Sequence, residues 1–219
     1  MQVPAVLPKI LVISMCFLFV IRVSAQDDGR FNLGGGAGFS VPTSDTSASL
    51  NTGWNVGVRG GLNVTPHFLA DLDFTYNQWD LTRSALARFA EPNGHADVWS
   101  LTFTPVVRFA PHSPVDAYIL GGYGLYHRGL TITRPANATA IFCDFFFGFC
   151  FPTVVTVDQV VASFSTYKGG FNAGGGLEFR LGSTGLKAFG EARYHEMFTS
   201  RGPNLTFVPV TLACAGNTP

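Results

Sequence analysis

Three groups of residues in this sequence have side chains of the types that do chemistry. His127, His195, Glu191, Glu196 and Ser200 supply every member of a serine–histidine–carboxylate set, in which the histidine takes the hydroxyl proton and the carboxylate orients the ring. Nucleophile and base must lie within hydrogen-bond reach. His195 is followed by Glu196-Met197, and Ser200 falls five residues on, in a connecting segment. That spacing does not supply the reach, so no catalytic residue is assigned and His195 reads as a cap on a polar interior. Cysteines form the second group. No CxxC or Cys/His metal pattern is present, which disfavours zinc. Cys143 and Cys150 bracket the short stretch DFFFGF and are expected to form a disulfide in an oxidising compartment. The stretches GGAGFS and AGGGLEF open no helix, so neither is a phosphate cradle. No cofactor or metal is expected.

The third group is a balanced set of charges at alternate positions: Arg59, Asp71, Asp73, Arg108, Glu178, Arg180, Glu191 and Arg193. Alternation places them on one face of their strands, opposite an apolar face. Such a set needs elements that can hold eight charges away from whatever the apolar faces touch.

Composition narrows what those elements are. Charged residues make up only 13% of 219 residues, while Phe (21) and Gly (25) run high. Formal net charge is zero and no basic tract occurs, which excludes nucleic acid as a partner class. Mean hydropathy is positive, yet beyond the N-terminus no apolar run reaches the roughly 18 residues of a spanning helix. A closed β-barrel is the other structure that satisfies every backbone group in lipid. Lys9, the apolar stretch Ile10 to Ile21 and Val23-Ser24-Ala25 read as a secretory signal peptide over 1–25, leaving 26–219 as the barrel domain.

Eight alternating segments follow, at 31–40, 54–64, 68–78, 97–109, 116–127, 169–181, 186–196 and 205–214. Segments of about ten residues match the span of a tilted membrane strand. Connections alternate long and short, and the short ones carry turn chemistry (TPH, APHSPV, GSTG). Outer-membrane barrels have this asymmetry, with tight periplasmic turns and longer outside loops. Aromatics gather near the segment ends on the apolar faces (Trp54, Phe68, Tyr76, Trp99, Phe109, Phe179, Tyr194), as interfacial girdles do. Lipid is therefore expected outside and the charges inside. A lipocalin-like carrier is the inverted alternative. The 65–67 turn pairs Val64 with Phe68 and so sets Arg59 opposite Asp73.

With its signal peptide and the segments LGGGAGFS, WNVGVRGGLNV, GGFNAGGGLEFRL, AFGEARYHEMF and LTFVPVTL, the chain resembles the small outer-membrane β-barrels of the OmpA/OmpX-like superfamily. The resemblance implies an all-β fold, an eight-stranded antiparallel up-and-down transmembrane β-barrel, monomeric, held in outer-membrane lipid and inserted by the barrel assembly machinery of a Gram-negative-type cell. Family functions range over anchoring, adhesion, solute leakage and lipid modification. Lipid A-deacylating barrels place the hydroxyl two residues after the histidine, which His195 does not match. The last strand also departs from the family pattern, running out through Ala213-Cys214-Ala215-Gly216 where such barrels carry an aromatic residue.

Segment 128–168 is too long for a passive connector, and the strand propensity of TVVTVDQVVASFSTY is expected to continue strands five and six outside the membrane as a protruding hairpin. Its tip carries Phe142, Phe145, Phe146, Phe147, Phe149 and Phe151 around the two cysteines, and aromatics at that density either mark a partner or membrane contact or pack against neighbouring loops as a small hydrophobic cap. If Cys143 opposes Cys150, antiparallel pairing places His127 opposite Thr166 and Tyr123 opposite Gly170, within a few residues of where strands five and six should pair, a remainder that one bulge can absorb. The expected function is a non-enzymatic membrane scaffold with a surface recognition or adhesion loop for an unidentified extracellular partner. A lipid-modifying or lipid-binding barrel enzyme and a narrow channel are the alternatives.

Overall fold

A computed structural model describes residues 30–144, 146–182, 185–198 and 205–218. Eight strands pair in chain order and close into a barrel: β1 (Phe31–Pro42), β2 (Gly53–Thr65), β3 (Phe68–Asp80), β4 (Asn93–Arg108), β5 (Val115–Cys143), β6 (Cys150–Arg180), β7 (Leu186–Met197) and β8 (Leu205–Thr218). Every ladder is antiparallel, and β1 pairs with β8 from Phe31↔Thr218 to Pro42↔Phe207. The expected signal peptide lies outside the described residues. No helix among them is long and apolar enough to cross a membrane.

Alternation sets the two surfaces. Along β4, inward Val98, Ser100, Thr102, Thr104 and Val106 are buried, while Leu101, Phe103 and Val107 face outward. The outer surface is apolar nearly throughout: Leu33, Val58, Leu72, Phe103, Ile119 and Leu125 are all exposed. A soluble protein could not leave such a belt in water, whereas lipid accepts it. Trp54 packs on Tyr76 (ring centroids 5.5 Å apart) and Trp99 on Tyr167 (5.8 Å) near the loop end. Phe68, Phe109 and Phe179 form the opposite girdle, near the turns.

Two expected registers are realised, each with a refinement. Arg59 faces Asp73, but the turn closes through Thr65↔Phe68, leaving Val64 as a bulge. The β5–β6 ladder runs unbroken from Cys143↔Cys150 to Val115↔Phe179 with one shift between Ile132 and Thr133, where Val161 is the extra residue. Segment 128–168 is therefore a long hairpin, mostly strand. Pairing of β4 with β5 ends at Asn93↔Thr133, and pairing of β7 with β6 ends at Gly170↔Met197. Beyond Thr133 the two strands continue as a two-stranded ribbon. Among the described residues, no strand pairs with its outer edges. Ten further residues at about 3.3 Å each carry Cys143 about 33 Å past the last β4 rung.

A short helix, α1 (Arg83–Phe89), was not expected. Thr82 caps it, its Oγ1 accepting from the Ala85 amide at 3.3 Å, and Ala90 ends it in the left-handed region at φ 55°. Seven residues are too few for a 3.6-residue period to show. The helix packs Ala85 and Leu86 onto Leu81, Ala96, Leu50 and Leu130, covering one side of the outer mouth.

Candidate functional site

Inside the barrel the side chains lie in layers. Nearest the turns, Arg108 Nε donates to Asp116 at 2.6 Å and its Nη2 to Glu178 at 2.6 Å, with Lys187 Nζ 2.9 Å from the same Glu178 carboxylate. Asp116 also accepts from the Ala110 amide at 2.7 Å, tying the β4–β5 turn to this layer. Leu69, Val106, Tyr118 and Leu120 form an apolar layer. Next comes a centre built on Glu191, which accepts from Arg59 Nη2 at 2.8 Å, from the Tyr118 hydroxyl at 2.7 Å, and from Arg193 Nε. Arg193 Nη2 donates to Asp73 at 2.9 Å, and Arg59 also stacks over the Phe189 ring at 4.4 Å. The outer end is closed by Trp79, Val98, Tyr126 and Met197, with Leu50 packed against them.

Two small cavities adjoin the charged layers, of about 20 Å³ beside Arg59, Asp73, Glu191 and Arg193, and about 30 Å³ beside Asp71, Arg108 and Glu178. Each has room for roughly one water. Asp73 Oδ2 and Arg193 Nη1 have no hydrogen-bond partner among the described residues, and both residues line the first cavity. Two apolar layers and two ion-paired layers fill the lumen, as eight strands permit.

The expected charge set divides under this geometry. Arg59, Asp73, Glu191 and Arg193 come together, and so do Arg108 and Glu178. The Arg59–Asp73 ion pair is present at 3.7 Å, and Arg59 makes a second, shorter contact with Glu191 across the lumen, at 2.8 Å. Asp71 is buried and accepts from the Asn32 amide at 2.9 Å, and among the described residues no ion pair holds it. Arg180 does not enter the interior. It is the last residue of β6, so its inward parity leads to the exposed rim, where it donates to the Pro111 carbonyl at 2.8 Å. Asp116, Lys187, Tyr118 and Asn32 complete the networks and were not selected from the sequence. Strand five gave no signal because its inward face, Asp116, Tyr118, Leu120 and Gly122, lacks a run of polar residues.

The histidines are separated by the barrel wall. His195 is buried with Nδ1 2.9 Å from the Tyr126 hydroxyl, whereas His127 faces outward between Trp99 (5.3 Å) and Tyr167 (4.6 Å). Ser200 lies outside the described residues. No cluster of His, Cys, Asp and Glu able to hold a metal is found among the described residues.

Above the membrane, Arg134 at the ribbon base binds the Glu91 carboxylate through Nε at 2.9 Å and again through Nη2. This bond holds the Glu91 carboxyl below its ordinary value. At the far end Cys143 and Cys150 form a disulfide. Cys214 pairs through its backbone with Gly35 and Ala188, near the turn end of the barrel and far from that bridge. Phe142, Phe151, Phe149 and Phe147 follow one another at 5.7, 6.2 and 6.2 Å between ring centroids. Phe146 is 90% exposed and Phe147 77%. Phe145 lies outside the described residues.

This architecture has relatives. The chain is similar in structure to Neisserial surface protein A (TM-score 0.57, 12% identity, covering 85% of this chain and 96% of that one). It is similar also to Ail, the attachment invasion locus protein of Yersinia pestis, in complex with the heparin analogue sucrose octasulfate (TM-score 0.52, 16% identity, 86% and 97%). A third is a major outer membrane protein of Thermus thermophilus (TM-score 0.51, 12% identity, 85% and 97%). At these identities the likeness is one of fold. No curated protein sequence matches the chain. The family model described as outer membrane protein beta-barrel domain matches residues 11–211. With a lipid-facing belt, a filled polar lumen and that match across nearly its whole length, the chain belongs to the outer membrane protein beta-barrel domain family and resides in the outer membrane.

Proposed function

We propose that this protein is a non-enzymatic scaffold that holds the β5–β6 ribbon clear of the outer membrane as a recognition and adhesion element. The observation that carries this reading is the ribbon itself, which runs about ten residues per strand past its last barrel neighbour and ends in a disulfide-closed aromatic tip. A barrel that only anchored itself would gain nothing from exposing this much apolar surface. The filled lumen argues against conduction, because water and ions would have to pass two apolar layers and two ion-paired ones. The separation of His127 from His195 argues against hydrolysis.

The Yersinia pestis relative was solved with a polyanion, but a polyanion is a poor partner for this ribbon. Between Thr133 and Val160 the single basic residue is Arg134, and Glu91 engages it. The test replaces residues 134–159 by a tight turn and confirms the barrel by its change in gel mobility on heating. Bacteria displaying the trimmed barrel should lose attachment to other cells while retaining the protein in the outer membrane. Undiminished attachment would overturn the reading.

A further inference from the structure

We propose that the aromatic tip inserts into a lipid bilayer other than the one that holds the barrel. This rests on the recognition reading above and names its partner as a lipid surface. Four features of the tip converge on lipid rather than on a protein pocket.

The first is shape and exposure. Phe146 and Phe147 stand at the end of a narrow ribbon, with Phe149, Phe151 and Phe142 behind them as a continuous ladder of rings. Aromatic rings in this arrangement suit the boundary between headgroups and acyl chains. The second is polar satisfaction. Asp144 Oδ1 accepts from the amides of Phe146 (2.7 Å) and Phe147 (2.9 Å), the Asp144 amide donates to Phe149 O (3.0 Å), and the Gly148 amide donates to Asp144 O (3.0 Å). Gly148, at φ 69°, lets the chain turn back so that these bonds close. Donors already bonded within the loop offer a protein partner little to read. They also remove the penalty that unpaired amides would meet in hydrocarbon.

Charge is the third feature. Asp144 is the one charged residue between Phe142 and Phe151, and the nearest base along the strand is Arg134 at the ribbon foot. No cationic patch is present to select anionic headgroups, so attachment should be indifferent to lipid charge. Reach is the fourth. The tip stands about 33 Å beyond the last β4 rung along an extended ribbon, too far out for its rings to rest in the barrel's own leaflet. The lipid it meets belongs to an apposed membrane or vesicle.

The experiment uses the full barrel in nanodiscs mixed with large phosphatidylcholine vesicles and separated by flotation. Intact protein should float with the vesicles, Phe146→Ser/Phe147→Ser should reduce this by about tenfold or more, and added anionic lipid should change it by less than about twofold. Gel mobility before and after heating confirms that the variant barrel is folded. In a second arm, Phe147→Trp in a barrel whose Trp54, Trp79 and Trp99 are each changed to Phe reports depth without native tryptophan emission. Brominated acyl chains in the vesicles should quench its emission, and brominated chains confined to the nanodisc should not. Failure to float, quenching from the disc alone, or a requirement for anionic lipid would each overturn the proposal. If intact protein ignores vesicles while the ribbon is still needed for attachment to cells, the partner is not a lipid bilayer and the recognition reading stands without this inference.

Discussion

Glu191 is the residue whose loss should hurt the barrel most, and the structure says by how much more than its neighbour Asp73. Glu191 accepts from Arg59, Arg193 and Tyr118, whereas Asp73 makes one short bond, to Arg193, and a looser contact with Arg59. The centre is neutral as built, with two guanidinium groups against two carboxylates. Glu191→Gln keeps the volume but leaves two like charges sharing one remaining carboxylate. Removing one partner of a buried ion pair costs about 3–5 kcal/mol. Asp73→Ala also leaves two cations with one carboxylate, but that carboxylate, Glu191, already binds both, so the loss is one short charge-assisted bond and should cost about 1.5–3 kcal/mol. Adding Arg59→Leu to Glu191→Gln removes the stranded cation and should recover more than about 1 kcal/mol, a coupling outside ordinary additivity. Urea unfolding of the barrel in lipid vesicles, followed by tryptophan emission and by the folded band on unheated gels, measures all five proteins: native, Asp73→Ala, Glu191→Gln, Arg59→Leu and the double variant. The reasoning fails if Asp73→Ala costs as much as Glu191→Gln. It fails equally if the Glu191 and Arg59 changes add within about 0.5 kcal/mol.

Three further outcomes are expected. A Cβ on Gly124 would lie 2.1 Å from Leu101 O and one on Gly122 2.2 Å from Phe103 O, so Gly124→Ala should force β4 and β5 apart and cost about 1–3 kcal/mol in the same unfolding assay. The bond between Glu91 and Arg134 holds the Glu91 carboxyl below its ordinary 4.5, so its brace on the ribbon foot is complete above that pH and is lost as pH falls through the lowered value. Amide exchange at 133–137, corrected for its intrinsic rate, should therefore quicken on acidification in the native protein and show no such step in Glu91→Gln. Peptide mapping without reductant should recover Cys143 linked to Cys150, and a fragment joining either to Cys214 would contradict the topology.

Much of this molecule could be read from the chain because a barrel strand announces both of its surfaces in one residue-by-residue alternation. Phe68 to Gln78 shows lipid and lumen at once, and the turn after Val64 sets Arg59 beside Asp73 without further information. The same arithmetic, carried down from Cys143 and Cys150, came within one residue of the barrel's register, the offset that the bulge at Val161 absorbs. What stayed hidden were relations between strands that are not neighbours. Nothing local to Arg59 points to Glu191, because which residues meet across the lumen depends on closure of the ring and on stagger accumulated over eight strands. Arg180 misled for the same reason: parity gives the direction of a side chain but not its depth along the barrel axis. Helix α1 was too short to leave a period, and strand five hid Asp116 beneath tyrosine, leucine and glycine.

The ring imposes an order in time. Seven of the eight ladders join strands that follow one another in the chain and can zip as hairpins. The eighth, between β1 and β8, joins residues from opposite ends of the described barrel, such as Phe31 with Thr218. The entropy of bringing such distant segments together must be met before that contact gives anything back. The seam therefore forms last, and until it does the nascent sheet has two long open edges. One of them, β1, carries Gly34, Gly35, Gly36 and Gly38, whose missing side chains neither guard the edge nor fix its register. Every copy of the chain passes through this moment, when β8 of one molecule could zip onto β1 of another, so the yield of closed barrels should fall as the density of folding chains rises.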